Sequence, residues 1–373
     1  MNQALQIIAL PVLTGILLFL LPSAWRMIKV IIATAMVLFT GYLAISLYGA
    51  DELVFSPDYW ADMEKYCSFS LDGLSKLITL FIALLSLLVI LYTTRYSTAA
   101  AMRNYYAWYL ITLGFSYGAV LANNLLFFLI CWGILGISLF MLTNGKDERS
   151  SAAAKKTLVL IGASDGIMIL GIAILWRVTG TLSMDEITLP TSDLVRSIAC
   201  LSLLVGSFTK AGAFPFHTWV PDYSETAPAS SSAYLPASLD KLLGIYFLAR
   251  ITTDLFIMGD WLRFVLLTIG VVTIITAVMM ALVQHNYKRL LGFHAVSQVG
   301  YMVVGFGLGS VLGIAAGLFH MINNALYKGG LFLAAGAVEQ QTGKEELEDL
   351  GGLSRAMPIT FFACIVFALS ISG

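Results

Sequence analysis

Apolar runs of about twenty residues, separated by short polar stretches, recur along the whole chain, and one such run in helical form crosses the hydrocarbon core of a bilayer. They lie near 4–21, 27–49, 73–92, 106–122, 124–142 and 157–179, and again near 195–212, 235–256, 261–284, 290–308, 311–338 and 357–372. Backbone groups in lipid must be satisfied within their own segment, which excludes open strands. The ten-residue alternation of a transmembrane barrel is not seen in the sequence. The expected fold is all-α, a polytopic transmembrane helix bundle of about 12 spans.

Composition agrees. Of 373 residues, 59% are hydrophobic and 12% charged, where a soluble protein carries about 25% charged residues. A net charge of −1 gives no bulk basic field for nucleic acid and no polybasic anchor. Position matters more than sum. Basic residues follow the odd-numbered spans: Arg26 and Lys29, Arg95 and Arg103, then Lys146, Arg149, Lys155 and Lys156, then Lys288 and Arg289. Residues 51–65 and the Asp185, Glu186, Asp193 stretch, after even-numbered spans, are acidic. The positive-inside rule then places the N-terminus outside and the odd loops in the cytoplasm, as expected for a multi-pass protein of the cell inner (cytoplasmic) membrane. Residues 339–355 form a hydrophilic, cytoplasmic connection; acidic residues weigh little in that rule. The N-terminal run lacks a basic leader and reads as an uncleaved first span. Cys67, Cys131, Cys200 and Cys364 are scattered without metal or disulfide spacing. No nucleotide, metal or other cofactor motif stands out, so no cofactor is expected.

Ionisable side chains at membrane depth are functional candidates, because they are costly there. Lys210 ends a long apolar run, and Gly212 and Pro215 follow it. Proline removes a helical hydrogen bond and disfavours helix in the residue before it, so the seventh span breaks just beyond this lysine. Unwound backbone at that depth must line an enclosed or watered cavity, where a lysine can exchange protons; the competing reading is a lysine snorkelling to the interface. Lys241, next to Asp240, is a second proton carrier or a helix-end anchor; adjacent on a helix, the two side chains need not pair. His320 and Lys328 stand about 80° apart and about 12 Å apart in height, with Asn323 and Asn324 between them, as a proton wire or as polar glue. Asp165, flanked by glycines, is a counter-ion for a lysine or a local polar contact. His217, Asp222 and Glu225 lie in a proline-rich segment that forms a proton-accepting mouth or an ordinary loop. His294 has Ser297 and Gln298 a turn away as possible partners.

On these residues the chain resembles a known family. The stretch FTKAGAFPFHTWVPDYSETAPASSSAYLPASLDKLLGIYFLAR resembles the seventh and eighth helices of antiporter-like subunits of complex I, of energy-converting membrane-bound hydrogenases and of Mrp-type Na+/H+ antiporters. NYKRLLGFHAVSQVGYMVVG is similar to the tenth helix and the turn before it, HMINNALYKGGLFLAAGAV to the eleventh, and ALSISG to the start of a broken twelfth. The resemblance implies N-terminal helices over 1–105, a first antiporter-type repeat with the broken helix over 106–256, and a second, incomplete repeat over 257–373. It also implies proton transport along a hydrated axis joining Lys210, Lys241, His320 and Lys328, driven by a redox reaction elsewhere in a multisubunit complex. No catalytic or redox centre is expected on this chain; the partners implied are other membrane subunits and a peripheral redox arm.

Two departures qualify that expectation. The family's fifth helix bears a glutamate after a tryptophan, partnering the central lysine, where this chain has Gly133 after Trp132. Without it Lys210 should lose its proton more easily unless Asp165 substitutes. The sequence also stops within the expected break of the twelfth helix, so a second chain supplies the remaining helices, the chain is truncated, or the exit is built differently. The leading reading is a proton-translocating subunit of a redox-driven complex, NADH-quinone oxidoreductase-like or hydrogenase-like. Alternatives are membership of an Mrp-type antiporter, a non-pumping coupling scaffold, and a bicarbonate-uptake relative.

Overall fold

The structure, a computed structural model, describes residues 2–56, 67–96, 104–143, 145 and 147–372. Arg103, Lys146, Gly373 and most of the acidic 51–65 stretch lie outside the described residues. Each of the apolar runs falls on helix. The first six are α1 (Asn2–Leu20), α2 (Arg26–Tyr48), α3 (Gly73–Thr93), α4 (Tyr105–Leu121), α5 (Leu125–Thr143) and α6 (Glu148–Thr179). Then come α7 (Leu194–Ala211), α8 (Trp219–Thr226), α9 (Ala229–Tyr234) and α10 (Asp240–Ala249). The last are α11 (Asp260–Leu282), α12 (Tyr287–Gly307), α13 (Val311–Thr342), the short α14 (Leu353–Ala356) and α15 (Pro358–Ser372).

Helix starts follow their capping chemistry, in which a side-chain oxygen takes a free first-turn N–H. Asp72 and Ser75 form a reciprocal capping box on α3. Asp147, Asp193, Asn286 and Ser310 cap α6, α7, α12 and α13. The Asp147 cap lets α6 begin ahead of the apolar run expected from residue 157. Ser150 N–H donates to Asp147 and holds this exposed carboxyl below its usual range.

By length and apolar content, eight helices among the described residues can cross a membrane: α1, α2, α3, α5, α6, α7, α11 and α12. The expectation of about 12 spans is therefore met in part. α4 is 17 residues long and almost wholly buried. α13 is long but carries Lys328 and a polar C-terminal end. The expected 235–256 span is broken into pieces, and α15 has 15 residues. Leu20, Ile45, Val159 and Phe264 point outward, more than half exposed; large apolar side chains at this density suit lipid.

The connections segregate onto two faces, as alternate crossings require. On one, the β1 (Leu53–Phe55) and β2 (Phe69–Leu71) strands pair antiparallel, and Ser68 accepts from Asn123 N–H. There too, β3 (Leu189–Pro190) pairs with β4 (Phe256–Ile257). Arg250 clamps this face: its guanidinium donates to both Asp72 oxygens at 2.6 and 2.8 Å and to Asp254 at 2.8 Å. Burial opposes ionisation of Asp72, but Arg250 outweighs it and holds the carboxyl below its ordinary value of 3.8. On the other face, Arg289 binds Asp222 and Glu225, Lys156 binds Asp222, and Lys288 binds Glu339 and Glu345.

Candidate functional site

The expected break in the seventh span is present. α7 carries Lys210 in its last turn and ends at Gly212, whose φ of +83° suits glycine. The N–H groups of Gly212 and Ala213 both donate to Phe208 O at 2.8 Å. A Cβ on Gly212 would sit 2.7 Å from Val220 Cγ2, so α8 packs against bare backbone. The last carbonyls of a helix need outside donors. Here Trp219 Nε1 donates to Thr209 O at 2.8 Å and Lys241 Nζ to Ala211 O at 2.6 Å. Lys241 thus places its cation at the C-terminal end of α7, where the helix dipole favours positive charge.

Two features bring α10 onto that helix end. Ser207 Oγ donates to Gly244 O at 2.8 Å, and a Cβ on Gly244 would lie 2.6 Å from Ala211 N. Only glycine allows so close an approach. Ahead of α10 the chain makes a π-helical turn over Leu235–Leu239 containing Pro236, whose missing N–H cannot complete an α-helical ladder. Leaving that turn, Asp240 and Lys241 are both buried.

Asp240 Oδ1 lies 3.7 Å from Lys210 Nζ, and each side chain is 1% exposed. The contact is an ion pair without a hydrogen bond: neither the Lys210 ammonium nor either Asp240 oxygen has a hydrogen-bonding partner. Lys210 also sits 5.2 Å above the Trp132 ring, a cation–π contact. Asp165, largely buried, lies within electrostatic reach of Lys210, with Oδ1 unpartnered.

Next along the file, Lys328 on α13 is fully buried within electrostatic reach of Lys241 and of His294 on α12. Lys328 Nζ, both polar atoms of the Asn324 amide and His294 Nδ1 are buried without a protein partner. Four such atoms in one region are each costly to leave dry, about 1–3 kcal/mol apiece, and they mark the place as one for water. His320 is set apart. Its Nε2 lies 2.9 Å from Gln298 Oε1, which also accepts from Tyr327 O–H at 3.0 Å. An oxygen that only accepts requires His320 Nε2 to carry the proton.

The structure therefore brings Asp165, Lys210, Lys241, Lys328 and His294 into one file and leaves His320 beside it, on Gln298. His217 is buried against Phe214, ring centroids 5.6 Å apart, with Nδ1 unpartnered. Asp222 and Glu225 pair with Arg289, and Asp222 also with Lys156, which is within electrostatic reach of His217. Ser297 donates to the His294 carbonyl, not to its ring, and Gln298 serves His320. Asp240 is the residue sequence reading missed; a carboxylate directly beside a lysine within a predicted span was its signal. At Gly133 a Cβ would meet nothing within 4 Å. The carboxylate paired with Lys210 comes from α10.

A helix bundle broken at mid-chain, with a lysine–aspartate pair and further lysines buried at the break, has the build of an antiporter-like membrane protein. The chain belongs to the NADH:quinone oxidoreductase/Mrp antiporter transmembrane family, whose sequence model matches residues 122–373. It is 34% identical over 325 residues to the A-type subunit of the Na(+)/H(+) antiporter of Alkalihalophilus pseudofirmus, across 81% of this chain and 40% of that protein. With the A1-type subunit of the Na(+)/H(+) antiporter of Staphylococcus haemolyticus it shares 33% identity over 323 residues, across 81% and 40% of the two chains. The chain thus spans about two fifths of the length of these curated relatives. Its fold matches a chain of the Mrp complex from Dietzia sp. with a TM-score of 0.92 at 24% identity, covering 100% of this chain and 70% of that one. It also matches a chain of the membrane-bound sulfane sulfur reductase, an archaeal respiratory membrane complex, with a TM-score of 0.86 at 25% identity, over 98% and 77%.

Proposed function

We propose that this chain is an ion-translocating subunit of an Mrp-type Na+/H+ antiporter in a cytoplasmic membrane, carrying protons along Lys210, Asp240, Lys241 and Lys328. The antiporter reading rests on the curated relatives, which are named as Na(+)/H(+) antiporter subunits. It takes precedence over the redox-driven complex that the sequence motifs favour. One observation carries the proton role: Asp240 stands against Lys210 with Lys241 next to it in the chain. A carboxylate between two ammonium groups can neutralise either. A proton leaving one lysine therefore shifts the balance toward the other, and the charge moves by exchange of ion pairs rather than by travel of a side chain.

Among the described residues, Lys241 and His294 are the charged or titratable neighbours within reach of Lys328, so protonation of Lys241 disfavours protonation of Lys328. That repulsion drives a proton onward through the orphaned Asn324 and His294 region, with water supplying the missing partners. Asp165 tunes Lys210 from α6, and His320 with Gln298 and Tyr327 extends the polar path at its side. The 106–256 and 257–373 segments act as two half-channels, and the N-terminus faces outward. Other membrane subunits complete the complex.

The reading is tested in everted vesicles holding the assembled complex, with an imposed pH gradient and no electron donor. Adding Na+ should collapse the gradient. Proton movement that appears only with an electron donor and ignores Na+ would instead favour the second reading, a redox-driven complex, for which the likeness to the sulfane sulfur reductase chain speaks.

A further inference from the structure

A polar cavity of about 380 Å³ opens among the ends of α5, α6, α8, α12 and α13, on the face that carries Arg289 and Lys288. Thr143, Glu225, Lys288, Glu339 and Glu345 are on its wall. Lys288 holds Glu339 and Glu345, at 3.2 and 2.9 Å, and Arg289 holds Glu225. The wall is thus a set of tethered carboxylates around a space large enough for several waters.

The segment from Tyr223 to Ser232 forms the end of α8 and the start of α9. Thr226, Ala227 and Pro228 of that segment line the cavity. The hydroxyls of Tyr223, Ser224, Ser231 and Ser232 are buried without a hydrogen bond of good geometry, that of Ser231 standing beside the Tyr105 phenol. The Tyr223 phenol lies beside Thr143, whose own hydroxyl donates to Leu139 O, and within electrostatic reach of Asp240. Buried hydroxyls are almost always bonded, so four orphans on the segment that edges a polar cavity, one of them within reach of Asp240, call for a function.

We propose that the cavity is the mouth of the proton path on this face, and that Tyr223, with Ser231 and Ser232, relays protons between it and Asp240. This rests on the proton role given to Lys210 and Asp240 above. In each step a relay oxygen accepts one proton from one side and releases its own toward the other. No net change occurs at the hydroxyl, and the proton is exchanged between Asp240 and water in the mouth; no redox partner enters. Tyr223 is a positioning and relay residue, distinct from the ion pair it serves.

The test uses the assembled complex in everted vesicles, with Lys210→Met, Tyr223→Phe and Ser232→Ala compared at equal assembly. Removal of a relay hydroxyl should slow Na+-driven proton movement about a hundredfold or more, the range for loss of a positioned proton donor. The solvent deuterium isotope effect on the remaining rate should rise, which loss of packing alone would not cause. Independently of transport, Ser231→Cys, in a parent with Cys67 and Cys364 changed to serine, should react with a small charged thiosulfonate from the cavity face only. If Lys210→Met is silent while Tyr223→Phe and Ser232→Ala run at the parent rate and isotope effect, the mouth is wrong and the ion-pair account survives. Failure of Ser231→Cys to react from the cavity face also counts against the mouth. A Lys210→Met variant that transports normally overturns both.

Discussion

Replacing Asp240 with asparagine removes a charge and almost nothing else. At 3.7 Å and an effective dielectric of about 20, the carboxylate attracts the Lys210 ammonium by about 4 kcal/mol. Breaking a buried pair by removing one partner costs about 3–5 kcal/mol, because the remaining charge is left uncompensated. Asparagine keeps the shape, so the bundle should assemble. Lys210 would then shed its charge or draw on Asp165, and either outcome stalls the exchange of partners between Lys210 and Lys241. The assay is Na+-dependent collapse of an acid-interior gradient in everted vesicles, normalised to complex recovered by blotting. Asp240→Asn should lose at least about tenfold in rate, the equivalent of only about 1.4 kcal/mol of the attraction removed. Asp240→Glu, which restores the charge one methylene further out, should recover part of it. An Asn variant that assembles and transports at the parent rate would refute the claim that Lys210 works through Asp240.

Other expectations follow from the same geometry. Gly244→Val should disrupt the contact that seats α10 on α7, since a Cβ would lie 2.6 Å from Ala211 N; overpacking of this kind costs about 1–3 kcal/mol and is read as a lower melting temperature in detergent. Arg250→Ala should lower it too, by loss of charged hydrogen bonds to Asp72 and Asp254 worth about 1.5–3 kcal/mol each. In the parent, Asp72 has a lowered folded value, so its contribution is full above the unfolded value near 3.8 and disappears as pH falls through the lowered one. Melting curves measured down through that acid range should show the parent losing stability and Arg250→Ala losing less. Lys328→Gln removes the final buried cation of the file and should abolish transport while the complex still assembles, as checked by native gel.

Much of this site was readable along the chain because its parts punctuate apolar runs. Lys210, Gly212 and Pro215 announce both a buried charge and a broken helix within six residues. Lys328 stands out because nothing else in its run is charged. The Lys210–Asp240 pair was not readable. It joins residues thirty apart through a backbone approach that depends on Gly244, and a glycine in a membrane helix carries no mark of which neighbour it admits. The division of His217, Asp222 and Glu225 among their partners was not readable for the opposite reason. They are close in sequence, but the turn into α8 directs the histidine inward and the acids toward Arg289 and Lys156. Gln298 had two histidines in range, and only the packing of α12 on α13 decides that it serves His320. The eighth span was placed by its apolar content, whereas its π turns follow from Pro236 and from how the helix meets its neighbours.

Proton movement by Lys210→Met is the most direct measure of the central claim. With everted vesicles, equal amounts of assembled complex and a Na+ pulse, the parent should dissipate the pH gradient and Lys210→Met should leave it standing. A methionine variant that assembles and dissipates the gradient at the parent rate would contradict the account, since no path through the Lys210–Asp240 pair would then be needed.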